Sequence, residues 1–379
     1  MNAVIDKITF WQPVLTEHAR HTYEQLAKRL PASADVVETA VQHADRKRQD
    51  WSSAQSGIPV HVLDDASWRQ QIIEHLRDKD RIHIFSSPFE IGKLSIALGL
   101  ALARGNHVFL CSEPYSPVAM GYFNDSKYRD TLKMWLRPWL YRIYGQIIKA
   151  RVKGIFAISP LAVRQFKSIG VPDSKIFPFG YFVPILKDLE FSKQNGKVKI
   201  AFVGSLIERK GVSTLISAMK SLSNNDVSLD VYGAGDMSRF LPLPTNTRYC
   251  GSIPFGTTQR ILANYDILVV PSYHDGWAVV VNEAVLARCA VVATSTTGAG
   301  NMLEDWKCGV TFPPGDQQAL AERLLHYVND REALANAQAA SSALAEQLAP
   351  ERAAEYMKAC IISILEEQIK PPNPWYSTR

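Results

Sequence analysis

The sequence predicts an α/β protein of two doubly wound domains that face each other across a cleft. Three observations predict it. Short apolar, largely β-branched runs alternate with helix-length segments along most of the chain, the pattern of parallel sheets covered by helices. The 379 residues suffice for two cores of ordinary size. Phe179 to Pro184 and the polar tract Lys187 to Lys197 divide the alternation into two sets and read as a boundary and hinge, so a cleft able to close on ligands is expected.

Composition narrows the class. Apolar residues make up 46% and charged residues 21%, a globular balance that is neither disordered nor membrane-embedded as a whole. The formal charge of +5, from 42 basic and 37 acidic side chains, is too small an excess to argue nucleic acid, and no recognition motif for one is present. It permits an anionic substrate or surface as partner. Cys111, Cys250, Cys289, Cys308 and Cys360 lack paired metal-ligand spacing and read as buried thiols of a reducing compartment. No metal site and no cofactor are expected. Asp6 and Lys7 stand where a signal peptide would be apolar, and no run is long enough to span a bilayer, so a cytoplasmic location is expected.

In the first domain, strand Lys7 to Phe10 leads through a loop into a helix over Glu17 to Arg29. Glu17 and His18, at that junction, are candidates for acceptor contact, with helix-start residues as the competing reading. Residues 34–62 read as a strand, a polar linker and a second strand; Trp68 to Arg77 and Ile91 to Ala103 read as helices, and Arg81 to Phe85 and His107 to Cys111 as strands. Glu113 follows the last of these strands directly, at the carboxyl edge where this architecture binds ligands. It could orient or deprotonate an acceptor hydroxyl, with Tyr115 beside it, or it could cap the following turn. Arg129 to Lys153 interleaves Trp135, Trp139, Tyr141 and Tyr144 with seven basic residues. A basic helix pair broken near Pro138 is expected, lying on an anionic membrane or packing its aromatics into the core. Strand Gly154 to Ile158 and a helix from Ser159 to about Ile169 complete the domain.

In the second domain, strand Val198 to Val203 delivers Gly204, the loop Ser205 to Lys210, and a helix over Gly211 to Lys220. A glycine-bearing loop can approach phosphate closely, and a lysine at the helix start can neutralise it. Gly233 and Gly235 follow strand Leu229 to Tyr232, and Ile253 follows the edge segment Arg248 to Gly251. The isolated GxG is too little for a dinucleotide fingerprint, and no Walker pattern is present. Ile267 to Val270 is a buried strand stopped by Pro271. A helix should follow Gly276, because Ala278 to Ala287 has no internal glycine or proline. Its uncapped amides make a phosphate site, flanked by Asp275 and Glu283 eight residues apart. The amides of Thr297 to Gly300 could add to it, and Asp316 fits a helix cap.

The run Pro271, Ser272, Asp275, Gly276, Trp277, Ala278, Glu283, Ala284 resembles the signature of the retaining, nucleotide-sugar-dependent glycosyltransferases of family 4. In that signature two acids are separated by seven residues after a Pro-Ser pair, with Gly-aromatic-Gly between. The resemblance continues through Gly204, Lys210 and Gly211, and through Ser159, Phe166, Gly170, Val171, Pro172 and Ile176, covering roughly residues 155–345. It implies the GT-B fold of two facing Rossmann-like domains. Residues 1–185 would bind acceptor, 186–197 form the hinge, 198–350 bind the nucleotide sugar, and 351–379 return to the first domain.

The implied activity is retaining sugar transfer from a UDP- or GDP-sugar to a saccharide or lipid-linked acceptor in bacterial cell-surface polysaccharide synthesis, in the cytoplasm or on the inner face of the plasma membrane. Lys210, Asp275 and Glu113 would be catalytic. Donor contacts would come from Gly204, Ser205, Arg209, Lys210, Gly233, Gly235, Ile253, Asp275, Gly276, Trp277, Ala278, Val279 and Glu283, with Asp275 on sugar hydroxyls and Glu283 on the ribose. The chain departs from the family in having Asp275 for Glu, Ala278 for the second glycine and Ser205 for arginine, and in lacking a glycine loop at Pro13 to Glu17 and a cleft histidine in the first domain. Those departures keep a second reading open, a non-catalytic nucleotide-sugar-binding or assembly subunit. A phosphorylase of the same fold is disfavoured by the short chain.

Overall fold

The computed structural model describes residues 6–31, 33–39, 56–86, 92–115, 127–191, 196–223, 226–254 and 256–375. Most of the polar linker read between residues 34 and 62 lies outside them. The first sheet is built from β1 (Lys7–Gln12), β2 (Ser33–Glu38), β3 (Val60–Val62), β4 (Ile82–Ser86), β5 (His107–Ser112), β6 (Gly154–Ile158) and β7 (Ile176–Phe179). Its seven strands lie in the order β3-β2-β1-β4-β5-β6-β7 and pair in parallel throughout. The second sheet comprises β8 (Val198–Val203), β9 (Val227–Tyr232), β10 (Thr247–Gly251), β11 (Ile267–Val270), β12 (Ala290–Thr294) and β13 (Gly309–Phe312). Its six parallel strands lie in the order β10-β9-β8-β11-β12-β13.

Strand order reverses between β1 and β4 in one sheet and between β8 and β11 in the other. A crevice opens at such reversals beyond the carboxyl ends of the strands. The central strands β4 and β11 are buried along their whole length; β11 is a continuous apolar run, whereas β4 buries His83 and Ser86 among its apolar residues. Helices supply the covering layers; Asp316, as expected, caps Gln317–Asn329 by accepting from the Ala319 amide at 2.9 Å.

The segment expected as two helices broken near Pro138 is one helix, Lys127–Arg151. Pro138 is exposed, so water can serve the carbonyl it leaves unpaired, while Tyr141 and Ile148, on an adjoining face of the same helix, pack into the domain core. Of the aromatics, Tyr141 is buried, as the core-packing reading expected, and Trp135 and Trp139 are exposed.

The chain ends by crossing back. Helix Pro350–Leu365 packs on Glu17–Ala27 of the first domain, with Lys358 Nζ donating to the Arg29 carbonyl at 2.7 Å. Trp375 then inserts fully buried among Phe179, Phe182 and Tyr356, and its Nε1 donates to the Gln347 carbonyl at 2.8 Å. Truncating Trp375 to alanine removes this plug between the hinge and the terminal segment. The expected loss is about 3–5 kcal/mol, read as a lower urea midpoint.

Candidate active site

Two adjacent parallel strands on either side of the second reversal place the central pair. Beyond β8 the chain runs through Gly204 and Ser205 to a single 3-10 turn, Glu208–Lys210, and then Gly211 takes the left-handed conformation at φ 68°. A side chain there would strike the Pro271 carbonyl, so glycine lets the two loops touch. Beyond β11 the chain runs through Pro271 to His274 and reaches Asp275.

Lys210 Nζ lies 2.6 Å from Asp275 Oδ2, and Arg209 Nη1 lies 3.7 Å from the same oxygen. Arg209 is anchored by donating to the His274 carbonyl at 2.8 Å. Burial works to raise the Asp275 carboxyl pKa, but the Lys210 ammonium, its hydrogen bond and Arg209 outweigh burial and leave the group below the ordinary aspartate range. The main chain is equally fixed: Asp275 N donates to Thr296 O at 3.2 Å, and Gly298 N donates to Asp275 O at 3.0 Å.

Those bonds correct one expectation. The Thr297 to Gly300 amides do not face a ligand, because they donate to Thr294, Asp275, Trp277 and Thr297 carbonyls respectively. The loop buttresses Asp275 instead.

Helix Val279–Leu286 starts just beyond, with Ala278 at φ 70° in the left-handed region. An alanine there costs roughly 1–2 kcal/mol relative to an unstrained residue, consistent with glycine standing at this point in the resembled signature. One turn into the helix, burial raises the Glu283 carboxyl to about 7, against a hydrogen bond from Thr258 that favours the ionised form.

The first domain contributes Glu113 from the loop beyond β5. Its carboxylate sits directly over Gly276, where any side chain would overlap it. Glu113 is open to the cleft yet enclosed by packed protein around the cleft floor. That enclosure raises its pKa, as does Asp275, while the Tyr181 hydroxyl beside it and the charges of Arg209 and Lys210 oppose the rise. The structure therefore brings Lys210, Arg209, Asp275, Gly276 and Glu113 together across the two domains.

Other candidates divide. His18 packs its ring on Tyr181 with centroids 4.3 Å apart, close to Glu113's partner. Glu17 is held by Arg20 at 2.6 Å and His21 at 3.7 Å, which supports its helix-start reading. Tyr115 is partly exposed and stacks on Tyr141 at 4.5 Å. The Trp277 side chain is sealed, donating from Nε1 to Asn282 Oδ1 at 2.9 Å and packing on Phe182; only its main chain can meet a ligand, and its amide already donates to Asp275. Gly233 and Gly235 form a turn against the Ser205 loop, with Leu206 N donating to Ala234 O at 2.8 Å. Ser205 and Ile253 are half-buried at that edge, and Val279 opens the helix.

Sequence reasoning missed Tyr181, Asn282 and Ser159. Tyr181 and Asn282 are joined by a hydrogen bond across 101 residues of chain, so no local pattern marks them. Ser159, read as a helix start and as part of the family resemblance, is fully buried at φ 82° and its Oγ has no hydrogen-bond partner among the described residues. Such strain gathers at functional sites. Among the described residues no three His, Cys, Asp or Glu side chains converge as a metal site.

Known proteins share the fold. The chain has the GT-B fold: it superposes on the UDP complex of Anabaena Alr3699/HepE with a TM-score of 0.70 at 15% identity, covering 94% of this chain and 100% of that one. It also superposes on WaaG, a glycosyltransferase involved in lipopolysaccharide biosynthesis, with a TM-score of 0.57 at 15% identity, covering 92% and 98%. Residues 187–343, which carry Lys210, Asp275 and Glu283, match the family model Glycosyl transferases group 1. The phosphatidyl-myo-inositol mannosyltransferase of Mycobacterium leprae is 29% identical over 202 residues, 50% of this chain and 51% of that protein. The putative teichuronic acid biosynthesis glycosyltransferase TuaC of Bacillus subtilis is 25% identical over 186 residues, 47% of each. The chain thus spans about half the length of the curated relatives it matches.

Glu283 generates a pH-dependent prediction. Its raised pKa means that the folded state binds the extra proton, so its contribution to stability is fully present below the unfolded glutamate pKa and is lost as pH rises through about 7. Glu283→Gln should therefore flatten the fall in stability between pH 5 and pH 8 by up to about 3 kcal/mol, measured by urea denaturation at both pH values.

Proposed function

We propose that the protein is a retaining glycosyltransferase that moves a sugar from a nucleoside diphosphate sugar to a saccharide or lipid-linked acceptor. The observation that carries this reading is the Lys210–Asp275 pair at 2.6 Å, with Glu113 facing it from the other domain across Gly276. Departure of a nucleoside diphosphate builds negative charge on the β-phosphate oxygens. Lys210, Arg209 and the amides of Val279 and Val280 are preorganised donors for that charge, Val281 N being spent on the Ala278 carbonyl at 2.9 Å. When the diphosphate arrives it competes with Asp275 for Lys210, freeing carboxylate oxygens for sugar hydroxyls. Glu283 accepts from the ribose, and Glu113 receives the proton of the acceptor hydroxyl as the new glycosidic bond forms on the face that the diphosphate leaves. A UDP-sugar is the favoured donor, because a solved GT-B neighbour holds UDP and glucose.

The acceptor is proposed to be lipid-linked and met at the cytoplasmic face of the membrane. No helix among the described residues is long and apolar enough to cross a bilayer. Helix Lys127–Arg151, however, exposes Leu132, Trp135, Leu136, Trp139, Ile143 and Ile147. Their spacing of three and four residues places them on one helix face, with Arg142 and Lys149 along its margin. An apolar stripe edged by cations suits the interface of an anionic bilayer.

Incubating the protein with a panel of UDP- and GDP-sugars and a detergent-dispersed membrane extract tests the activity. Binding of a donor without turnover of any would favour the non-catalytic subunit instead. Lys210→Ala should lower transfer by roughly 10²–10³-fold; an unchanged rate would sink the leaving-group assignment. Flotation with vesicles of phosphatidylglycerol should carry the wild type upward and leave a Trp135→Ser, Trp139→Ser double variant at the bottom of the gradient.

A further inference from the structure

Tyr181 lies in the hinge, outside every motif, yet it touches both halves of the cleft. Its hydroxyl lies beside the Glu113 carboxylate and favours the ionised form of that group. The His18 ring meets it at an interplanar angle of 63°, holding the phenol from the other side. Its main-chain carbonyl accepts from Asn282 Nδ2 at 3.0 Å. Asn282 is fully buried in the donor-domain helix Val279–Leu286, and its Oδ1 in turn fixes Trp277 Nε1 at 2.9 Å. Trp277 directly follows Gly276, the residue over which Glu113 lies. The contacts thus close a ring: helix, Asn282, Tyr181, Glu113, Gly276, Trp277 and back to Asn282.

We infer that Tyr181 is the positioning residue that aims Glu113 at the acceptor hydroxyl, and that Asn282 ties this aim to the placement of the donor-binding helix. The inference rests on the proposed role of Glu113. A flexible carboxylate beside a glycine could turn freely, whereas a phenol set beside it restrains its rotation and leaves an oxygen for the substrate. Because Asn282 grips the Tyr181 main chain, a shift of the helix on donor binding is passed to the phenol. The charged and titratable groups facing Glu113 are Cys111 on β5, Tyr181 in the hinge, and Arg209, Lys210 and Asp275 from the second domain. Among them the phenol is the neutral group that favours the carboxylate's ionised form. Removing it disfavours the ionised form, so the acid limb of the reaction must move toward higher pH.

The test compares wild type, Tyr181→Phe, Asn282→Ala and Glu113→Gln. Carboxyl NMR of isotope-labelled glutamate identifies the Glu113 signal by its loss in Glu113→Gln, without requiring a known acceptor. In Tyr181→Phe the Glu113 titration should move up by about one pH unit, and in Asn282→Ala in the same direction by less. UDP affinity by calorimetry should stay within about twofold in Tyr181→Phe, while transfer measured with the donor panel should fall about tenfold in kcat. Superimposable titrations in wild type and Tyr181→Phe would overturn the inference, as would a loss of UDP affinity equal to the loss of transfer. If Tyr181→Phe does not fold, Asn282→Ala carries the same test, and an unshifted titration there overturns the coupling. Full transfer by Glu113→Gln with the titration shift still present would instead reject the acceptor role of Glu113 and leave its contact with Tyr181 intact.

Discussion

The cleft depends on one ion pair, Lys210 with Asp275. Each member comes from the loop beyond one of two neighbouring strands, so the pair ties the strand reversal of the second sheet together at the point where a ligand enters. Alone, a largely buried aspartate would tend to protonate; with Lys210 at 2.6 Å and Arg209 at 3.7 Å it stays ionised. Two cations around one carboxylate leave an excess of positive charge, which suits a diphosphate. The surrounding architecture serves this arrangement. Gly211 lets the lysine loop touch the aspartate loop, and the main chain of Thr296 and Gly298 clamps Asp275 in place.

The two domains are held in register by packing rather than by charge. Trp277, Phe182, Trp375, Phe179 and Tyr356 form an aromatic cluster where the segment after β7, the loop beyond β11 and the terminal segment meet. Buried rings of this size fix relative position because any displacement opens voids. The same cluster seals the Trp277 side chain inside the acidic signature. On the first domain, Tyr115 beside Glu113 stacks on Tyr141 of the exposed amphipathic helix.

Much of the fold was legible because parallel strands buried on both faces must be apolar, and their alternation with helices admits few topologies. The central strand Ile267–Val270, the helix beyond Gly276, the Lys210 loop and the Asp316 cap all lie where local pattern placed them. Pro138 misled, because a proline in a helix pattern signals a break, whereas the core packing of Tyr141 and Ile148 on the following turns carried the helix through it. The Thr297 to Gly300 amides misled in the other direction: a glycine-rich loop at a sheet edge suggests free donors, but here the donors are spent inside the protein.

The sequence by itself determined the two-sheet architecture, the acidic signature and the lysine at the phosphate loop, since each is written in residues close together in the chain and needs only local geometry to be read. Tertiary structure alone decided which of these groups meet. It set Glu113 over Gly276, bound Asp275 to Lys210 rather than leaving both acids equally free, and raised Glu283 by burial. It also brought Tyr181 to Asn282 across 101 residues. Contacts of that separation leave no periodic trace, because what fixes them is the packing of whole domains.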